Sequence, residues 1–320
     1  MTQPQDAAAV LMIRPVRFQA NDQTMATNEF QHLDDRLSVA ETQRRAAAEH
    51  EALVQVLRRE GVKVCVFDDT PEPHKPDAIF PNNWVSFHAS GTVLLYPKLA
   101  ENRRAERRLD IIQSLAEDYG FQINQTIDLS PHELNGRFLE GTGSLVLDRV
   151  NRIAYACLSM RTHRTPVEEF GRLVDYRTFT FEAFGPTGQP VYHTNVMMAI
   201  GEGLAVLCAE AVRDEQRRRE LIESLEGNGR EVMLISMEQM MQYAGNVLQM
   251  RTAAGDKLLA MSARAERSLT AAQRATVARH ARIVSSPVDT IEDCSGGSVR
   301  CMLAAIHLPH PDIVRPVPTT

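Results

Sequence analysis

Cys301 closes the run Gly296-Gly297-Ser298-Val299-Arg300-Cys301 and stands directly before the apolar stretch Met302-Leu303-Ala304-Ala305-Ile306. A thiol at the lip of such a stretch, beside a permissive glycine pair, is placed for nucleophilic chemistry on an electrophilic carbon. That chemistry needs a base, a group to protonate what leaves, and an anchor for the reactant. Taken alone, the residue reads rather as a core cysteine, because free cysteine is among the most buried residue types. His193, in Val191-Tyr192-His193-Thr194-Asn195, holds the same position ahead of another apolar arm and is the acid/base candidate. His88 and His163 lie near motifs but out of that phase. Glu140, in Phe138-Leu139-Glu140-Gly141-Thr142-Gly143, is either a turn carboxylate capping local amides or a partly desolvated group that accepts N–H donors. Arg161, in Leu158-Ser159-Met160-Arg161-Thr162, is either a solvated strand-end charge or a fork for a carboxylate.

The composition narrows the classes. A net charge of −6 over 320 residues offers no basic surface for nucleic acid or an anionic membrane. The five cysteines (65, 157, 208, 294 and 301) form no CxxC pair, which implies reduced thiols in a cytoplasmic protein rather than a disulfide framework; Cys294 reads as structural. His and Cys never fall at ligand spacing, so no metal is expected, and no cofactor is expected either. The N-terminus lacks a basic n-region and no apolar run approaches the ~18–20 residues of a membrane span. The expected partner is a small molecule, and a homo-oligomer is compatible with the sequence.

The elements that must position these residues recur. Strands are expected over 9–13, 62–67, 92–97, 121–129, 178–184 and 231–236, with helices over 32–60, 101–119, 165–176 and 213–226 and a last one near 270–281. Hairpins turn at 148–151, 201–203 and 254–256, and a final strand begins at Cys301. The intervals from Asn28 to Asn83, Glu140, His193, Asn246 and Cys301 are 55, 57, 53, 53 and 55 residues. Such a period implies about five similar β/α modules closing radially, with corresponding loops meeting on one axis. Residues 1–8 read as a flexible leader and 9–320 as a single α/β-propeller domain. Asn28 and Asn246 read as turn residues that tolerate left-handed backbone.

At this point the motifs carry a resemblance. FPNN (80–83), LEGTG (139–143), LSMRT (158–162), HTN (193–195) and GGSVRC (296–301) are similar, in order and over nearly the whole chain, to those of the guanidine-modifying or pentein superfamily. That superfamily includes arginine deiminases, dimethylarginine hydrolases and amidinotransferases. The resemblance implies an α/β propeller of five pseudo-repeated ββαβ modules around a central axis. It implies Cys301 as nucleophile, His193 as general acid/base, Glu140 as a substrate-binding carboxylate of the site and Arg161 as the grip on an α-carboxylate.

The departures bear on substrate. Arginine-hydrolysing members carry an aspartate where this chain has Asn83, and often a second where it has Asn195. A guanidinium has donors only and takes carboxylates, whereas an uncharged amide offers a donor and an acceptor and suits a ureido group. Citrulline is the substrate this implies, hydrolysed to ornithine, carbon dioxide and ammonia, and the resemblance to CtlX-type citrulline-utilisation hydrolases agrees. A Cys301–His193 ion pair, with Arg300 nearby, is expected to activate the thiol. An arginine deiminase or dimethylarginine hydrolase, an amidinotransferase, and a non-catalytic propeller that binds an amino acid stand as alternatives.

Overall fold

The computed structural model describes residues 4–31 and 37–313. Fifteen strands form five three-stranded sheets, each with one antiparallel and one parallel pairing. In chain order they are β1 (Ala9–Arg14), β2 (Lys63–Asp68), β3 (Val85–Phe87), β4 (Thr92–Leu95), β5 (Gln125–Asp128), β6 (Val146–Asp148), β7 (Ile153–Cys157) and β8 (Arg177–Phe181). They continue as β9 (Met198–Ile200), β10 (Leu204–Leu207), β11 (Glu231–Leu234), β12 (Leu248–Arg251), β13 (Lys257–Ser262), β14 (Arg282–Ser286) and β15 (Ala304–Ile306). The sheets are β3-β4-β5, β6-β7-β8, β9-β10-β11, β12-β13-β14 and β15-β1-β2. Each is a ββαβ module: a hairpin, an outer helix and a third strand parallel to the second. The last module is closed by the two ends of the chain, β15 pairing antiparallel to β1. This is the α/β propeller of the pentein superfamily.

The first strand of every hairpin is short and faces the axis. β15 packs against β3, β6 against β9 and β9 against β12. The outer helices cover the sheets with one apolar stripe each. In the helix Val39–Arg59, Ala46, His50, Leu53, Val54 and Leu57 are buried at the three-to-four-residue spacing of one face, and the Ser38 hydroxyl caps the Glu41 N–H. Residues 32–36, the start expected for this helix, lie outside the described residues. Among the described residues no helix is long and apolar enough to cross a membrane.

Three expectations need correction. The leader does not extend to residue 8: Gln5, Asp6 and Ala7 are buried, and the Gln5 amide donates to the carbonyls of Leu147 (2.9 Å) and Ile200 (3.0 Å), tying two inner strands together. The charged run 101–119 is not one helix but a 3₁₀ turn, Glu101–Glu106, and an α-helix, Leu109–Glu117. In the tighter turn residues three apart line up, so Arg103 and Glu106 both point inward and are buried. Cys301 does not open a strand. Its N–H donates to the Ser298 carbonyl at 2.9 Å in a turn, and β15 begins only at Ala304.

Candidate active site

Five inner strands present five preceding turns to the same end of the axis, and the turns carry the candidate residues. Asn83 ends a 3₁₀ turn before β3. Glu140 precedes the turn Gly141–Ser144 before β6. His193 and Asn195 flank the start of the turn before β9. Asn246 donates its N–H to the Tyr243 carbonyl (2.8 Å) just ahead of β12, and Cys301 lies ahead of β15. The period read from the sequence is therefore the spacing of these turns. Asn28 is not one of them. Its amide donates to the Ser295 carbonyl at 3.0 Å, because the first module takes its inner strand from the far end of the chain.

Glu140 and His193 form a buried pair. The Leu99 N–H donates to Glu140 Oε1 at 3.1 Å, and His193 Nε2 lies 2.9 Å from Oε2. Arg103 and Arg161 stand 3.7 and 3.8 Å from the same oxygen. Burial pushes the Glu140 carboxyl up, but the Lys98 ammonium, the His193 hydrogen bond and the Arg161 guanidinium outweigh it and hold it well below the usual range. An ionised carboxylate only accepts, so His193 must donate from Nε2 and keep its lone pair on Nδ1. Burial lowers the imidazole to about 4; Glu140 opposes this, but Arg161 and Arg103 reinforce it. A carboxylate partner ordinarily raises a histidine. Here burial and two guanidiniums prevail, and the ring is neutral at neutral pH. Gly143 makes room for it: a Cβ there would lie 2.5 Å from Asn83 Nδ2 and 2.8 Å from His193 Nδ1.

The sulfur of Cys301 is held by amides. Asn246 Nδ2 lies 3.3 Å from Sγ and Asn195 Nδ2 3.5 Å, both poised to stabilise negative charge there. Asn195 Oδ1 is buried without a hydrogen-bond partner among the described residues. The expected Cys301–His193 ion pair is not formed: the hydrogen bonds of the described residues include none between the two, and a neutral ring cannot be the cation. The Arg300 side chain turns away to the Leu303 carbonyl (3.0 Å), while its N–H donates to Asn246 Oδ1 at 3.1 Å.

A narrow cleft of ≈ 270 Å³, counted to its mouth, is lined by Asp77, Asn83, Arg103, Arg161, His193 and Cys301 among others. Arg161 stacks over the Tyr192 ring (4.9 Å to its centroid) and donates to the Thr24 carbonyl and the Thr27 hydroxyl. Arg103 pairs with Glu106 (2.8 Å) and Asp77 (3.4 Å) and donates to Asn83 Oδ1 at 3.1 Å. Asp77 accepts from Asn21 through Oδ2, leaving Oδ1 buried with no partner among the described residues; burial raises its carboxyl against the pull of Arg103. Lys98 is buried beside Glu106 at 3.1 Å and is lowered to about 8, by burial and then by Arg103.

Cys301, His193, Asn83 and Arg161 thus line one cleft, while Glu140 reaches it through His193 and Asn195 through the sulfur. Asn246, Arg103 and Asp77 were not expected there. Asn246 fell on the 53–57-residue period and could have been found by it. Asp77 stands three residues before Phe80-Pro81-Asn82-Asn83, while nothing in the run Glu101–Arg108 separates Arg103 from its charged neighbours.

The family model for N,N-dimethylarginine dimethylhydrolase, eukaryotic, matches residues 14–308. The chain belongs to this family. A comparison with curated proteins found no match. Among solved structures, full-length ArgZ, an arginine dihydrolase from the ornithine–ammonia cycle in cyanobacteria, superposes with a TM-score of 0.73 at 16% identity over 97% of this chain. This chain spans 42% of that protein's length. A Cys-to-Ser variant of the ArgZ N-terminal domain bound to substrate gives 0.71 at 15% identity, covering 92% of this chain and 96% of that domain. A dimethylarginine dimethylaminohydrolase variant carrying an S-methyl-L-thiocitrulline adduct gives 0.61 at 15% identity, covering 95% and 99%. At these identities the likeness is one of fold.

Proposed function

We propose that this member of the family is a cysteine-dependent hydrolase of a ureido amino acid, and that the amino acid is citrulline. The observation that carries this reading is the pair of buried amides, Asn83 and Asn195, at a cleft whose charges already balance. Lys98, Arg103 and Arg161 face Asp77, Glu106 and Glu140. The zwitterionic head of an amino acid leaves that balance intact, with its carboxylate on Arg161 and Arg103 and its ammonium on the unpartnered oxygen of Asp77. A neutral ureido group then adds nothing. Arginine would add a permanent cation next to two amides, at a cost of several kcal/mol.

In the mechanism we assign, His193 Nδ1 takes the Cys301 proton and the sulfur, steadied by the Asn195 and Asn246 amides, attacks the ureido carbon. The C–N bond to the side-chain nitrogen breaks, His193 returns the proton to the departing amine, and ornithine leaves an S-carbamoyl thioester on Cys301. His193 then takes a proton from water, which displaces the sulfur. The resulting carbamic acid falls to carbon dioxide and ammonia, so that citrulline plus one water gives ornithine, carbon dioxide and ammonia. Glu140 keeps His193 in the tautomer both steps require.

The family match favours a second reading, hydrolysis of arginine or a methylated arginine, in which the carboxylates of the cleft bear the extra cation. Ornithine and ammonia release from citrulline, run beside the same assays on arginine and dimethylarginine, decides between them. Cys301-dependent turnover of citrulline alone is expected; citrulline or alkylamine appearing from a guanidino substrate would replace the proposal with the second reading.

A further inference from the structure

Behind the catalytic turns, on the same axis, lies a second, narrow cavity of ≈ 480 Å³, counted to its mouth. Its walls come from four of the five inner strands, β6, β9, β12 and β15, and it reaches Thr142 and Arg300, the neighbours of Gly143 and Cys301. Arg149, Arg300 and His307 line it, and none of its lining residues among those described is acidic.

This charge pattern departs from the rest of the molecule. The buried lysines and arginines among the described residues are Lys75, Lys98, Arg103, Arg149, Arg161 and Arg230. Five of them have a carboxylate within 4 Å: Lys75 has Asp69, Lys98 has Glu106, Arg103 has Asp77 and Glu106, Arg161 has Glu140, and Arg230 has Asp148. Arg149 has none. It donates to the Phe87 carbonyl at 3.3 Å and bonds the Tyr176 side chain. Arg300 likewise has no carboxylate within 4 Å among the described residues, and its guanidinium donates to the Leu303 carbonyl. Lysine and histidine escape such confinement by losing a proton, and His307 does so: burial, then Arg149, His88 and Arg300, push it well below its ordinary value. An arginine cannot at neutral pH, so a buried guanidinium, Arg149, and a half-buried one, Arg300, lining one cavity call for a counter-ion. The cavity's glutamines do not serve. Gln5 is spent on Leu147, Ile200 and the Arg149 N–H, and Gln249 on the Glu202 N–H and the His280 carbonyl.

We propose that this axial cavity binds a small oxyanion, of the size of bicarbonate or phosphate, between the guanidinium forks of Arg149 and Arg300. Planar forks suit planar or tetrahedral oxyanions in bidentate contact. The site is coupled to the catalytic face through Asn246, whose amide joins the Arg300 N–H to the Cys301 sulfur. The inference rests on the cavity and its charges and stands whether or not the substrate is citrulline.

Thermal unfolding of the full chain tests it, with inorganic phosphate and bicarbonate titrated separately against chloride at constant ionic strength. A saturable rise in melting temperature for at least one oxyanion is expected, weakened about tenfold or more in apparent affinity by Arg149→Met. A response that tracks ionic strength alone, or one that Arg149→Met leaves unchanged, overturns the proposal. Should Arg149→Met fail to fold, Arg149→Lys, which keeps the charge but loses the planar fork, is expected to weaken the same response severalfold, and unchanged affinity there is equally fatal. Crystals soaked in selenate give the position: an anomalous peak between Arg149 and Arg300 is expected, and selenate bound only elsewhere contradicts it.

Discussion

Asn246 Nδ2 lies 3.3 Å from Cys301 Sγ, and the oxygen of the same amide accepts the Arg300 N–H at 3.1 Å. One side chain therefore fixes the backbone that carries the thiol and offers a donor to the sulfur. Replacing Asn246 by Ala is expected to lower kcat by about 10–100-fold with little change in KM, as for the loss of one donor to developing negative charge. Alkylation of Cys301 by iodoacetamide at fixed pH should slow in parallel. An unchanged alkylation rate would mean that the contact is packing alone.

Glu140 bears on both catalysis and stability. Glu140→Gln keeps the shape but loses the charge that makes His193 donate from Nε2, so kcat should fall on the order of 10²–10⁴-fold. It also leaves Arg103, Arg161 and Lys98 with one carboxylate fewer in a buried cluster, and breaking such a network costs about 3–5 kcal/mol. Denaturant unfolding should reveal that loss, and full stability in the variant would count against the charge balance described for the cleft.

Histidine titration has two measurable consequences. With His193 lowered to about 4, the base is available well below its ordinary range, so kcat/KM should hold between pH 7 and 5.5 and fall only toward pH 4. An acid limb centred near 6.5 would show that the ring is not held neutral. His50 lies away from the cleft, fully buried on the helix Val39–Arg59 with neither ring nitrogen bonded among the described residues, and burial followed by Arg14 lowers it to about 4. Between 6.5 and 4 the unfolded chain binds a proton there that the folded chain refuses. The contribution is thus present above 6.5 and is lost as the pH falls, by about 3 kcal/mol at most. His50→Leu should flatten that part of the stability profile, and an unaltered slope would exclude His50 as its source.

On the proposed reading, Asn83 and Asn195 select a neutral reactant. Converting both to Asp restores two carboxylates facing the reacting group, and should lower citrulline turnover while gaining turnover of arginine. The ratio of kcat/KM for the two substrates is expected to move by at least about 100-fold toward arginine. No movement would mean that selectivity lies elsewhere in the cleft.

The architecture was legible because the chain repeats itself. Apolar hairpin arms, polar turns and amphipathic helices at a 53–57-residue interval imply five modules, and the turns at that interval carry Asn83, Glu140, His193, Asn246 and Cys301. What the sequence concealed was non-local. Asn246 resembles any turn asparagine until the ring closes and brings it to the sulfur. Arg103 and Glu106 read as a solvated helix because a run of charges does not reveal which members point inward. Gln5 looked like part of a frayed end, since the two carbonyls it joins belong to strands more than 140 residues away. The Cys301–His193 ion pair was a chemical assumption that burial and two neighbouring guanidiniums undo.

In the proposed mechanism Cys301 attacks a neutral ureido carbon, and the mass of the group left on that sulfur reports the attack itself. The enzyme is mixed with citrulline or with arginine, quenched in acid within the first turnovers, digested and analysed by mass spectrometry of the Cys301 peptide. A carbamoyl adduct is expected from citrulline, absent in Cys301→Ala, and no adduct from arginine. An amidino adduct from arginine, with an unmodified peptide from citrulline, would contradict that mechanism.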